Sequence, residues 1–176
     1  MSATRLDRVI AALREGGLDG LVLMPDANLS YLSGVRFAHP GKRLTLALVP
    51  ATGATPAFAL PALEQGQVEA NSQIAMAYFP WHDADGPAAA LAAAVAAAFS
   101  PGASGLTLAV EHTSLRVMEL RALEAAVPGL RTVDATPLLA ALRMRKDEQE
   151  LAAIEQAVRI IELALERTVA QIRAGM

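Results

Sequence analysis

Short apolar runs that stop at proline or glycine alternate with helix-like segments through most of this chain, and this pattern constrains the fold more than any other feature. Residues 21–24 stop at Pro25, as expected of a strand buried on both faces. Residues 44–49 and 57–60 flank a turn-forming segment and predict a hairpin. Further strands are predicted at 74–79, 106–110 and 130–133, and helices at 4–15, 87–99 and 114–127. The pattern predicts an α/β fold of three α/β/α layers, whose hairpin makes the sheet mixed.

The last segment has a different periodicity. From Asp147 onward, apolar residues recur at spacings of three and four with charged residues between them: Leu151, Ile154, Val158, Ile161, Leu165, Val169 and Ile172. This spacing predicts one amphipathic helix of about 26 residues and about 40 Å. Such a helix is longer than a domain of this size needs, so part of its apolar stripe is expected to require a partner.

Composition excludes several classes of function. The chain has 176 residues, 53% of them hydrophobic, which is enough for one compact domain with an appendage. A net charge of -3 without a basic block argues against nucleic acid as a partner. The absence of cysteine excludes disulfides and thiolate chemistry, and a cytoplasmic setting is expected. The charged first 14 residues do not resemble a signal peptide, and no segment is long enough to cross a membrane.

Few residues suggest chemistry directly. The histidines His39, His82 and His112 lie far apart, and no phosphate-binding, zinc-binding or nucleophile motif is present. The segment 82–85 either ligates a divalent metal or, as we favour, is a solvated loop whose Asp85 caps the next helix. Trp81 either forms a binding surface or, on the reading we favour, covers the end of the core.

Several ordered motifs resemble the amino-terminal domain of the creatinase, prolidase and Xaa-Pro aminopeptidase family. The most specific is N-x-x-Y-L-x-G, which here contains Asn28, Tyr31 and Gly34 and follows the segment 17–25. Near the other end, R-x-x-K-D-x-x-E contains Arg143, Lys146 and Asp147. Residues 61–64, 81–87 and 110–111 fall between these motifs in the order found in that family.

The resemblance implies a non-catalytic domain at 1–142, followed at 143–176 by the junction and first helix of a truncated "pita-bread" catalytic domain. Two Asp, one His and two Glu would bind two divalent metals, Mn, Co or Zn, and activate a hydroxide that attacks the peptide bond preceding proline. All these ligands are expected beyond residue 176, so no catalytic or metal-binding residue is expected in this chain. The domain is expected to form a homodimer and to place Trp81 and His82 beside the partner's substrate cleft.

Three other interpretations stay open at the level of sequence. In the first two, the chain is part of a longer parent protein. This parent is either an interaction module that has lost catalysis or a creatinase-like amidinohydrolase. Alternatively, the chain is a free-standing α/β domain that binds a small molecule. This last hypothesis predicts a pocket at the carboxyl edge of the sheet and a self-contained last helix.

Overall fold

The computed structural model describes residues 4–36, 42–173 and 175; His39 therefore lies outside the described residues. These residues divide into two compact units, Met1–Ala140 and Ala141–Met176. The elements are α1 Arg5–Glu15, β1 Gly20–Leu23, α2 Ala27–Ser33, β2 Leu46–Pro50, β3 Ala57–Pro61, α3 Ala62–Asn71, β4 Ala77–Trp81, α4 Ala88–Ala98, β5 Thr107–Val110, α5 Val117–Ala126, β6 Arg131–Asp134, α6 Thr136–Met144 and α7 Glu148–Val169. That the second unit belongs to a catalytic domain stays a prediction.

The six strands form one mixed sheet in the order β4-β3-β2-β1-β5-β6. Strand β2 runs antiparallel to both β1 and β3, and the remaining neighbours are parallel. The predicted hairpin is therefore β2–β3, and it is the reason that the sheet is mixed. The predicted α/β class is confirmed.

Helices cover both faces of the sheet. On one face, Val22 of β1 and Leu48 of β2 belong to a buried cluster that also contains Leu91 of α4 and Leu123 of α5. Because side chains alternate along a strand, Leu21 and Leu23 point to the opposite face. There β1 contacts α1, and Leu13 of α1 and Leu29 of α2 are fully buried.

Local sequence explains where the first two helices begin and end. Thr4 and Asp7 form a capping box at the start of α1. Asp26 caps α2 by accepting a hydrogen bond from the Ala27 N–H. Gly34 ends α2 in the left-handed region, with φ of 77°. An added Cβ there would lie 2.6 Å from the side chain of Gln73, so the position requires glycine.

The structure corrects several sequence predictions. Helices α3 and α6 were not predicted; each buries a single residue, Val68 in α3 and Leu139 in α6. The strand predicted at 74–79 lies at Ala77–Trp81, and its Pro80 is tolerated because β4 is an edge strand. Asp85 does not cap α4, whose first turn follows Pro87 without a side-chain cap.

The final helix α7 has 22 residues, somewhat fewer than the predicted number. Asp147 caps it and forms a capping box with Glu150. No residue of α7 is buried, and its apolar stripe is 46–66% exposed from Leu151 to Val169. Within the described residues, no helix combines the length and the apolarity that a membrane crossing needs.

Candidate functional site

The candidate site lies at the edge of the sheet where strands β1 and β5 both end. The two strands are parallel neighbours, yet the chain continues from β1 towards β2 and from β5 towards β6, on opposite sides. Ligands of open α/β sheets bind at such a reversal, because the connections diverge there and leave a crevice. Strand β2 is antiparallel to β1, so Arg43, just before β2, lies at the same edge.

A buried carboxylate joins the segments that leave β1 and β5. Glu111 follows β5 directly and is 4% exposed. Its Oε2 accepts a hydrogen bond from the Met24 N–H at 2.7 Å, and its Oε1 accepts one from Asn28 Nδ2 at 2.7 Å. Hydrogen bonds to a charged group are stronger than neutral ones, and here they compensate for burying the carboxylate. Asn28 therefore attaches the start of α2 to the end of β5.

Tyr31 of the N-x-x-Y-L-x-G motif attaches α2 to α1. The backbone carbonyl of Tyr31 accepts a hydrogen bond from Arg5 Nη1 at 3.0 Å, and its hydroxyl accepts one from Arg8 Nη2 at 3.3 Å. The Arg5 guanidinium also lies 4.5 Å from the centre of the Tyr31 ring, a cation–π distance. These contacts give the motif a structural role within the domain.

Two side chains hold the backbone that leads into β2. The indole Nε1 of Trp81 donates to the Leu44 carbonyl at 3.0 Å, and Arg116 Nη2 donates to the Arg43 carbonyl at 3.0 Å. Arg116 is itself held by the fully buried carboxylate of Glu119. The residues at the end of β4 and the start of α5 thus position the same short stretch of chain.

Charged pairs at this edge shift several pKa values. Arg43 Nε donates to Asp83 Oδ1 at 2.8 Å, and this hydrogen bond lowers the pKa of the Asp83 carboxyl. The hydrogen bond to Glu119 raises the pKa of Arg116, so its guanidinium stays charged. Burial raises the pKa of Glu64, with Arg43 acting in the opposite direction.

A cavity of about 320 Å³ lies beside these pairs. Asp26 borders it with its carboxylate held in place: Oδ2 accepts from Ser114 Oγ at 3.0 Å, and Oδ1 accepts from the Ala27 N–H at 2.6 Å. The cavity is lined by Met24, Pro25, Asp26, Arg43, Thr113, Ser114 and Arg116.

The predicted site residues are spread over the chain. Trp81 is 8% exposed and packs in the core, while His82, the next residue, is exposed. Lys146 Nζ donates to the Met144 carbonyl between α6 and α7, and Arg143 lies in the last turn of α6. Within 4–36, 42–173 and 175, no three His, Asp or Glu side chains form a group that could hold a metal ion.

Sequence reasoning did not predict the contacts at the centre of this edge. Glu111, Arg116 and Arg43 bind groups far away along the chain; Asn28 and Glu111, for example, are 83 positions apart. Glu111 itself was singled out in segment 110–111 of the family resemblance, and a carboxylate directly after a buried strand is a second signal, whereas no signal pointed to Arg43 or Arg116. A pocket at the carboxyl edge of the sheet was predicted from the sequence only under the hypothesis of a free-standing domain.

Comparison with known families identifies the class of protein. Residues 5–145 match the Creatinase/Prolidase N-terminal domain. The chain therefore belongs to this family, and the resemblance noted in the sequence is confirmed.

The similar proteins of known sequence are dipeptidases by name. The "Probable dipeptidase PepE" of Mycobacterium tuberculosis (strain ATCC 25618 / H37Rv) is 36% identical over 157 residues, which are 88% of this chain and 39% of the relative. The "Putative dipeptidase YkvY" of Bacillus subtilis (strain 168) is 26% identical over 98% of this chain and 46% of the relative. The chain thus spans less than half the length of these relatives.

Solved structures agree in fold. A dipeptidase from Pyrococcus horikoshii matches with a TM-score of 0.81 and 28% identity over 98% of this chain and 46% of its own. Dipeptidase PepE from Mycobacterium ulcerans matches with a TM-score of 0.72 and 33% identity, over 93% of this chain and 42% of its own. A "Creatine_N Superfamily domain of a dipeptidase" from Streptococcus thermophilus is covered completely, with a TM-score of 0.68 and 21% identity over 81% of this chain.

Proposed function

We propose that this chain is the non-catalytic amino-terminal domain of a metal-dependent peptidase that acts on Xaa-Pro peptides, a prolidase-like dipeptidase or an Xaa-Pro aminopeptidase. One observation carries the proposal: the family match covers residues 5–145, yet the chain covers only 39% of a dipeptidase to which it is 36% identical. A dipeptidase of that length has more than half of its chain outside the matched region. The peptidase chemistry is assigned to that remaining part.

The exposed face of α7 supports an attached domain. Leu165 is 62% exposed and Ile161 is 66% exposed, in a helix with no buried residue. Apolar stripes of this kind are usually covered in the functional protein, since exposing them to water is unfavourable. We propose that the catalytic domain covers this stripe in the longer protein.

The metal ions belong to the proposed catalytic domain. Two divalent ions, Mn, Co or Zn, would supply a hydroxide nucleophile and electrostatic stabilisation of the negative charge that develops in hydrolysis. The residues of this chain contribute no ligand in this proposal. They form the dimer and place Trp81 and His82 at the border of the partner's cleft, and the setting is cytoplasmic.

The test compares the longer protein with this chain alone. Both are incubated with Mn, Co or Zn and assayed on an Xaa-Pro dipeptide, on a tripeptide with proline in second position and on creatine. We expect hydrolysis of an Xaa-Pro peptide by the longer protein and no hydrolysis by the 176-residue chain.

The other outcomes separate the alternatives. Hydrolysis of creatine in place of peptides would assign the parent to the amidinohydrolases. A folded longer protein without activity on any of the three substrates would make it an interaction module. Peptide hydrolysis by the 176-residue chain would refute the non-catalytic role.

A further inference from the structure

The cavity at the carboxyl edge has the position and the lining of a ligand site. It lies between β1 and β5, where the strand order of the sheet reverses, and it is lined by the segments that follow these two strands. Small-molecule sites combine apolar walls with a few polar groups in fixed positions. Here the walls include Met24 and Pro25, and the polar groups include Asp26, Arg43 and Ser114.

Groups of both charges border the cavity. Arg43 uses Nε and Nη2 to bind Asp83, and its Nη1 has no hydrogen-bond partner among the described residues. The Arg43 side chain is 46% exposed and lines the cavity. Arg116, the second guanidinium of the lining, is the N-cap of α5, whose first turn has no side-chain cap. The positive end of a helix dipole therefore lies beside the two guanidinium groups.

Asp26 supplies the opposite charge. Its two carboxylate oxygens each accept one hydrogen bond, from the Ala27 N–H and from Ser114 Oγ. A carboxylate has about four acceptor positions, so Asp26 can accept further hydrogen bonds from a ligand. The two existing bonds fix its orientation, which lowers the entropy lost on binding.

We propose that this cavity binds a free α-amino acid. The ligand's ammonium group donates to Asp26, its carboxylate accepts from Arg43, and its side chain contacts Met24 and Pro25. Each guanidinium is already paired with a carboxylate, Arg43 with Asp83 and Arg116 with Glu119. What remains for a ligand is the Nη1 donor of Arg43 and the acceptor positions of Asp26, and a zwitterion is complementary to both. The cavity volume of about 320 Å³ is large enough for one amino acid.

This inference does not depend on the proposed function, because it concerns binding by this domain and requires no peptidase activity. If the parent is a dipeptidase, the ligand belongs to the same class as its products. The binding experiment therefore uses the 176-residue chain alone, and its failure leaves the activity assay of the longer protein unaffected.

The test is an NMR titration of the ¹⁵N-labelled chain with L-leucine, N-acetyl-L-leucine and L-leucinamide. The first ligand has both charges, the second lacks the ammonium group and the third lacks the carboxylate. We expect saturable shifts of the Met24, Asp26 and Ser114 amides with L-leucine. Each blocked ligand should bind at least about tenfold more weakly, because one charged contact is missing.

Matched variants test the named contacts. Arg43→Gln and Asp26→Asn should each weaken L-leucine binding by about tenfold or more. Asparagine is also a good helix cap, so Asp26→Asn retains the start of α2. Arg121→Gln is the control, since Arg121 is an exposed arginine paired with Glu124 and does not line the cavity. It should leave binding unchanged.

Three results would overturn the proposal. The first is the absence of saturable shifts with L-leucine in a chain whose spectrum is that of a folded protein. The second is equal binding of L-leucine and N-acetyl-L-leucine, which would identify an anion site. The third is shifts that are the same in the Arg43→Gln and Arg121→Gln variants, which would place the ligand elsewhere.

Discussion

Glu111 is the residue on which the carboxyl edge depends most. Its carboxylate is buried and accepts hydrogen bonds from the backbone after β1 and from Asn28 at the start of α2. A buried charge is tolerated only when its hydrogen bonds are made, so any change to this carboxylate affects both partners.

We predict that Glu111→Gln lowers the free energy of unfolding by about 1–3 kcal/mol. The amide places an NH2 group where an oxygen now accepts, and one buried donor loses its partner. Urea denaturation measures the loss. The control is Glu124→Gln, an exposed residue paired with Arg121, which should change stability by less than about 0.5 kcal/mol. Equal effects of the two substitutions would contradict the role of Glu111.

Trp81 and His82 are predicted to affect substrate binding in the longer protein. We expect Trp81→Ala and His82→Ala to raise KM for a short Xaa-Pro peptide, because both residues are proposed to border the partner's cleft. Trp81 is buried and donates to the Leu44 carbonyl, so Trp81→Ala should also destabilise the domain by about 3–5 kcal/mol. His82 is exposed, and its replacement should leave stability unchanged.

Steady-state kinetics, measured below the unfolding temperature of each variant, separate the two effects. Trp81→Phe retains an aromatic ring in the core but removes the indole N–H and part of the ring volume, so it tests the hydrogen bond to Leu44 together with a smaller loss of packing than Trp81→Ala. An unchanged KM in both alanine variants would reject the proposed place of these residues at the cleft.

The pair of Arg43 and Asp83 is predicted to make stability depend on pH in the acid range. The hydrogen bond from Arg43 lowers the pKa of Asp83 in the folded state relative to the unfolded state. The pair therefore contributes stability above the unfolded pKa of about 3.9, and this contribution is lost as the pH falls through the folded-state pKa.

As the pH falls below about 4, the free energy of unfolding should therefore decrease less steeply in Asp83→Asn than in the unsubstituted 176-residue chain. Arg43→Gln should produce the same change, and the double variant should add little to either, since the two substitutions remove one interaction. Denaturant unfolding at a series of pH values measures the free energy of unfolding of each variant. Additive effects of the two substitutions would show that they act separately.

Among the helices, α7 is the one without a buried residue in the described structure. It has its own capping box, formed by Asp147 and Glu150, but its apolar stripe faces solvent. A helix with a covered stripe gains stability from packing, whereas an uncovered stripe favours association or fraying.

We predict that the 176-residue chain associates through α7 or that this helix is digested early by a protease. Light scattering over a range of concentrations and limited proteolysis measure the two outcomes. Ile161→Glu should reduce association because it places a charge in the stripe, while Gln156→Glu adds the same charge outside the stripe and should not. A monomer at all concentrations with an intact α7 would contradict this prediction.

At the scale of the whole molecule, the proposed division of labour predicts a selective effect of metal removal. A chelator should abolish Xaa-Pro hydrolysis by the longer protein, and Mn, Co or Zn should restore it, because the metal supplies the hydroxide nucleophile. The melting temperature of the 176-residue chain should be the same with and without the chelator. A chelator-dependent shift in that temperature would place a metal in this domain.

Much of the architecture could be predicted from short stretches of sequence. The apolar runs of β1, β2 and β3 predict buried strands, and the turn between β2 and β3 predicts the hairpin. Helices α1 and α7 have caps at Thr4 and Asp147 and a clear apolar stripe. Helices α3 and α6 were not predicted: each has about ten residues or fewer and buries one of them, so neither produces a long apolar pattern.

Sequence patterns predict the features that depend on neighbours along the chain, such as strands β1 to β3, helices α1 and α7, the β2–β3 turn, the mixed sheet and the order of the family motifs. Which polar groups meet depends on the three-dimensional fold. Glu111 reaches Asn28 and Met24, Arg43 pairs with Asp83, and Trp81 donates to Leu44. Periodicity and capping act over a few residues, whereas these contacts join segments that approach each other only when β1, β2 and β5 align in one sheet.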